Sequence, residues 1–120
     1  MIKQVIVMRK DLNMRKGKMV AQGSHASIAF LTKRLQKNES LTDVQKEWLE
    51  NSFTKICVSV ENEKELLAIK EKAENNNVEC HLVTDNGLTE FKGVPTNTCL
   101  ALGPDHSEVL DLISGDLKLL

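Results

Sequence analysis

Residues Ile2 to Met8 read Ile-Lys-Gln-Val-Ile-Val-Met. The run is rich in β-branched residues and nearly continuous in apolar character. A strand that is apolar on successive residues has to be covered on both faces, so it belongs in the middle of a sheet with layers above and below. The segments that follow supply those layers. A helix is predicted from about Lys18 to Gln36, and a short one after Thr42, where Thr42 and Gln45 form a capping box and Val44, Trp48 and Leu49 point inward. Lys55 to Val60 reads as a strand. Asn62 and Glu65 repeat the capping pattern, opening a helix to about Glu74 with Leu66, Ile69 and Ala73 as its buried stripe, and Asn75-Asn76-Asn77 ends it. Val78 to Thr84 and Thr96 to Leu102 read as strands around turns at Asp85-Asn86-Gly87 and Gly93-Val94-Pro95. A third capping box with Asp105 as N-cap opens a last helix to about Ile113, stopped by Gly115.

The order β-α-α-β-α-β-β-α describes an α/β fold, and 120 residues make one domain. Helical crossovers between strands predict a mostly parallel sheet covered on both faces. The exception should be the pair flanking the Asp85–Pro95 excursion. The three cysteines, Cys57, Cys80 and Cys99, all lie in apolar strand-like surroundings and read as reduced core thiols in a cytoplasmic protein. Their spacing with histidine does not resemble a zinc site, so no metal or cofactor is expected. No apolar run approaches the roughly 20 residues of a membrane span, and no membrane partner is expected.

Charge is unevenly placed. Up to Lys37 the chain carries nine basic residues against Asp11 alone, a balance of +8, while the remainder carries −9. A mild net charge hiding one basic segment suits a local polyanion site. Aromatic residues are 3% of the chain, which excludes an aromatic platform for stacking bases and leaves phosphate and sugar as the points of contact. The basic segment centres on Arg15-Lys16-Gly17-Lys18, a turn running into the first helix. Cations there oppose the helix macrodipole, and an anionic partner would explain them.

Along that helix, Lys18, Gln22 and His25 share one face, and Met19, Gly23, Ala26 and Phe30 form the neighbouring thin apolar stripe. Gly23 costs about 1 kcal/mol of helix propensity, for which close backbone approach is the simplest return. His25 reads first as a core histidine, Asp85 first as a turn residue, Glu90 as solvated, and Thr89, Thr96 and Thr98 as ordinary strand residues. Sites in such sheets gather beyond the carboxyl ends of parallel strands. The first strand ends into the Arg9–Lys18 loop and the third ends at Asp85, so both can open on one rim and bring Lys18 to Asp85. An ammonium, a carboxylate and hydroxyls could activate a water and hold a developing oxyanion.

The run from Val5 through Arg9-Lys10-Asp11-Leu12 and Gly17-Lys18-Met19-Val20-Ala21-Gln22-Gly23-Ser24-His25-Ala26 resembles the opening of the type-2 peptidyl-tRNA hydrolases. So do Thr84-Asp85-Asn86-Gly87-Leu88-Thr89-Glu90-Phe91, Thr98-Cys99-Leu100-Ala101-Leu102-Gly103-Pro104 and the closing Ser114-Gly115-Asp116-Leu117. The resemblance implies a three-layer α/β/α sandwich with a mixed four-stranded sheet, often homodimeric, that cleaves the ester between peptide and tRNA without a metal. It implies active-site roles for Lys18, Asp85, Thr89 and Thr98, with Gln22 and His25 beside them. Lys10, Arg15, Lys16 and Arg34 would hold phosphates of the tRNA acceptor end. Relatives usually have Ala where this chain has Asn86, and Cys or Ala is common in place of Gly23. A non-catalytic RNA-binding module of the same fold, or a domain whose basic segment meets an acidic protein, are the competing readings. Retention of the lysine, the aspartate and both threonines favours the enzyme.

Overall fold

The computed structural model describes residues 1–87 and 91–120. Its elements are β1 (Ile2–Arg9), α1 (Lys16–Lys37), α2 (Asp43–Glu50), β2 (Lys55–Val60), α3 (Glu63–Asn75), β3 (Cys80–Asp85), β4 (Thr96–His106) and α4 (Ser107–Ser114). The strands form one mixed sheet in the order β2-β1-β4-β3. β1 pairs parallel with β2, and β4 runs antiparallel to both β1 and β3. The expected antiparallel pair is therefore present. The expectation of mostly parallel pairing is corrected, because β4 inserts between β1 and β3 and makes two of the three neighbouring pairs antiparallel. Strand direction remains parallel for β1, β2 and β3, so their carboxyl ends share one rim.

β1 is central, and both of its faces are covered. Val5 and Val7 pack with Val58 and Val60 of β2, Leu66, Ile69 and Ala73 of α3, and Leu110 and Ile113 of α4. On the opposite face Ile6 and Met8 meet Ala26 of α1 and Cys99 and Ala101 of β4. Ile2 joins Phe30 and Trp48 under α2. Gln4, the polar interruption in β1, is fully buried and satisfied by Ser27 of α1: its amide donates to the Ser27 carbonyl at 2.9 Å and its oxygen accepts from Ser27 Oγ at 2.6 Å. A buried amide with both ends paired fixes the register of α1 on the sheet.

The caps at Thr42 and Asn62 form as the sequence predicts, the first as a complete capping box. Asn77, at φ 56°, ends the α3 turn in the left-handed region, the geometry expected of the Asn run. The capping box at Asp105 does not form. β4 continues to His106, where it pairs with Ile2, and α4 starts at Ser107 with no side-chain cap. Strand pairing with β1 outweighs a local cap worth about 1 kcal/mol. β3 starts at Cys80, two residues later than expected. Cys99 is buried and Cys80 half-buried, but Cys57 is exposed, because its side of edge strand β2 has no helix over it. Gly23 is buried against β1, yet a methyl group there would meet Met8 and Ile6 at 3.8 and 3.9 Å, ordinary contact distances. Close approach therefore does not account for this glycine.

Candidate functional site

Two segments far apart in sequence meet at the carboxyl rim of the sheet. α1 follows β1 and runs antiparallel to it, so the first turns of α1 lie beside the end of β3. Lys18 Nζ sits 3.0 Å from Asp85 Oδ1, and both side chains are largely shielded from water. Gln22, one turn further along α1, donates to the same oxygen at 3.4 Å. The other carboxylate oxygen accepts the backbone N–H of Gly87 at 2.9 Å, so Asp85 is at once the turn residue and the partner of Lys18. Gly87 is required in that turn. Its φ is +82°, and a Cβ would lie 2.5 Å from the Val94 carbonyl oxygen.

Thr98 of β4 is fully buried and donates to Gln22 Oε1 at 2.6 Å, extending the cluster to Lys18–Asp85–Gln22–Thr98. The Cys99 thiol donates to the Gln22 carbonyl at 3.4 Å. Lys18 Nζ also lies 5.7 Å from the centre of the Phe91 ring, within the range of a cation–π contact. The ammonium of Lys18, followed by the Gly87 N–H and Gln22, holds the Asp85 carboxyl below the usual carboxylate range against a desolvation effect that pushes the other way. Asp85 is therefore ionised throughout the neutral range.

The remaining expected residues fall in different places. Lys10, Arg15 and Lys16 are exposed on the loop and first turn beside this cluster. Arg15 is the N-cap of α1 without a side-chain cap bond, and the first turn holds no acidic residue. That basic, uncapped helix start fits an anion. His25 is exposed, which corrects the core reading. Arg34 lies near the other end of α1, where its guanidinium forms a two-pronged pair with Glu79 at 2.6 and 2.8 Å. Gln45 and His81 bond the same carboxylate at 2.9 and 2.6 Å. Burial works against the Glu79 charge, but the hydrogen bonds from His81 and Arg34 win and hold its carboxyl at about 2. Arg34 is thus engaged within the chain. Thr89 and Glu90 lie outside the described residues.

Sequence reasoning missed Arg9 and Asn97. Arg9 is buried and grips Asp11 with two bonds, at 3.0 and 2.8 Å, while its third nitrogen donates to the Asn97 carbonyl at 2.9 Å. The pairing with Asp11 raises the Arg9 value further. An arginine ending an otherwise apolar central strand, with an aspartate two residues on, was the available signal.

This geometry defines a class, α/β proteins with an ammonium–carboxylate pair on the carboxyl rim of a mixed sheet, next to a basic helix start. Residues 2–120 match the family described as peptidyl-tRNA hydrolase PTH2. A protein named peptidyl-tRNA hydrolase from Methanocaldococcus jannaschii is 43% identical over 119 residues, covering 99% of this chain and 100% of that one. Proteins of the same name from Methanopyrus kandleri and Thermoplasma volcanium are 41% and 38% identical, over 120 and 119 residues, covering 100% and 99% of this chain and 99% and 98% of theirs. The chain belongs to the peptidyl-tRNA hydrolase PTH2 family.

Proposed function

We propose that this protein hydrolyses the ester joining a peptide to the terminal ribose of tRNA in the cytoplasm, with Lys18, Asp85, Thr89 and Thr98 forming its reaction centre and Gln22 and His25 lining it. The observation that carries the reading is the 3.0 Å Lys18–Asp85 pair, joined through Gln22 to a buried threonine, beside an exposed basic loop. A carboxylate held below its usual range is a weaker proton acceptor but still a firm hydrogen-bond acceptor. Asp85 therefore orients the attacking water more than it deprotonates it. The water oxygen forms the new bond to the ester carbonyl carbon, and Lys18 stabilises the oxyanion that develops there. The bond from that carbon to the ribose oxygen then breaks. The attacking water gives up one proton to solvent along its hydrogen bond to Asp85, the ribose oxygen takes one from solvent, and the released peptide acid ionises to a carboxylate by giving its remaining proton to bulk water. Lys10, Arg15 and Lys16 hold phosphates near the acceptor end.

Incubating the purified protein with an N-blocked aminoacyl-tRNA, with and without chelator, tests this through release of free tRNA. Binding of deacylated tRNA without ester cleavage would favour the non-catalytic RNA-binding reading instead.

The working form we propose is a homodimer of this 120-residue domain. α1 carries a second apolar face, away from the sheet, where Val20, Ile28 and Leu35 are 69%, 50% and 70% exposed. The rows Val20-Ser24-Ile28 and Leu31-Leu35 are neighbouring i±4 ridges with a groove between them, the pattern by which helices cross at about −50°. This face borders an apolar groove of about 460 Å³ between α1 and β2, with exposed Phe53 and Leu120 on its edge. A ridge beside a groove is self-complementary under two-fold symmetry, which favours a second copy as occupant. Val20, Ile28, Leu31, Leu35, Phe53 and Leu120, at on the order of 100 Å² each, would bury roughly 1,200 Å² across a pair, the lower edge of specific interfaces. Sedimentation equilibrium should show a dimer that Ile28→Glu with Leu35→Glu converts to monomer. A monomeric wild-type protein at tens of micromolar would overturn this.

A further inference from the structure

Thr98 faces α1 only because β4 is irregular at that point. On the β3 side the register runs Val83 to Cys99 and then Thr84 to Asn97, so Thr98 is an extra residue without an opposite number. In a regular strand Thr98 would lie on the face of Leu100, which packs in the cluster under α3 and α4. Instead Thr98 and Cys99, adjacent in sequence, both bond Gln22 of α1. A bulge of this kind re-aims one side chain and strengthens the local twist.

The residue before the bulge is held from several sides. The Asn97 carbonyl accepts from buried Arg9 at 2.9 Å. The Asn97 side-chain oxygen accepts from Thr84 Oγ1 at 2.6 Å, and its amide approaches Glu63 at the start of α3 at 3.4 Å. Thr84 precedes Asp85 and Asn97 precedes Thr98, so this clamp joins the two strands immediately behind the two site residues. We propose that Asn97, gripped by Arg9 and Thr84, is a positioning residue that holds the β4 bulge and thereby aims Thr98 at Gln22, whose amide in turn bonds Asp85. The catalytic part of this inference rests on the hydrolase reading above. The structural part does not.

The test is a double-mutant cycle with a spectroscopic arm. Asn97→Ala should lower kcat about 10-fold with KM within about 2-fold, since small misplacement of a reacting group costs that much or more. In a Thr98→Ala background the same change should alter kcat less than about 2-fold, because the group it aims is gone. Thr84→Val, at an exposed position, removes one grip with little change in shape and should reproduce the effect in part. In ¹⁵N-resolved NMR spectra of the folded variants, the Thr98 backbone and Gln22 side-chain amide signals should move. A merely structural role would lower stability and leave the kcat of the folded fraction unchanged. Additive kcat losses across the cycle, or Thr98 and Gln22 signals that stay in place in both variants, overturn the proposal. If wild-type protein releases no tRNA, the hydrolase reading fails, and the spectra alone decide the positioning role.

Discussion

Replacing Asp85 with Asn separates catalysis from folding. In the native site Oδ1 accepts from Lys18 and Gln22 while Oδ2 accepts from the Gly87 N–H. An amide has one acceptor oxygen, so its NH₂ group must face either the Gly87 N–H or the Lys18–Gln22 pair. One unmet, largely buried donor costs about 1–3 kcal/mol of stability. Against a typical total of about 5–15 kcal/mol, more than roughly nine-tenths of the variant stays folded at 25 °C. If Asp85 orients the attacking water as proposed, loss of its carboxylate and of the counter-charge to Lys18 should lower kcat/KM by on the order of 10²-fold or more, about 2.7 kcal/mol of barrier. The assay is single-turnover release of tRNA from N-acetyl-aminoacyl-tRNA, read beside urea unfolding of the same sample. Lys18→Ala should give a similar loss, and the double variant should be little worse than either, as for groups acting as a unit. Full turnover by Asp85→Asn would refute the role assigned to the carboxylate. So would a rate loss that merely tracks the unfolded fraction.

Gly23→Ala should raise stability by about 1 kcal/mol in urea unfolding, because the added methyl meets Met8 and Ile6 at ordinary distances and the helix loses its glycine penalty. The depressed Glu79 carboxyl contributes stability that is fully present above about 4.5 and is lost as pH falls toward about 2. Wild type should therefore exceed Glu79→Gln by ~1–3 kcal/mol at neutral pH, allowing for solvent screening, with the gap closing by pH 2 in urea titrations. Arg15→Ala with Lys16→Ala should weaken tRNA binding and reduce the slope of log affinity against log salt by about 1–2, as measured by filter binding.

Local chemistry was the readable part of this chain. β-branched density located β1, β2 and β4, and the caps at Thr42 and Asn62 located α2 and α3, because those signals are complete within a few residues. The meeting of Lys18 with Asp85 was also legible, since it follows from strand direction and from sites gathering at carboxyl ends. Features decided by distant partners were not. The central position of β4 depends on pairing between Ile2 and His106, more than a hundred residues apart. The exposure of Cys57 depends on which face of β2 lacks a helix, and the tie between Arg34 and Glu79 on how α1 meets the start of β3. The orientation of Thr98 was the hardest to read, because an extra residue in a strand reverses the alternation from which facing is inferred.

The placement of β4 also governs assembly. Among the described residues β3 pairs in the sheet with β4 alone, and β4, residues 96–106, follows it in the chain. During synthesis β1 and β2 can associate early, but β3 waits without a partner strand until β4 has been made. Long-range pairings of this kind slow folding and prolong exposure of unpaired edges. A reaction centre that includes Thr98, as proposed, is therefore completed only after the other three strands have been made.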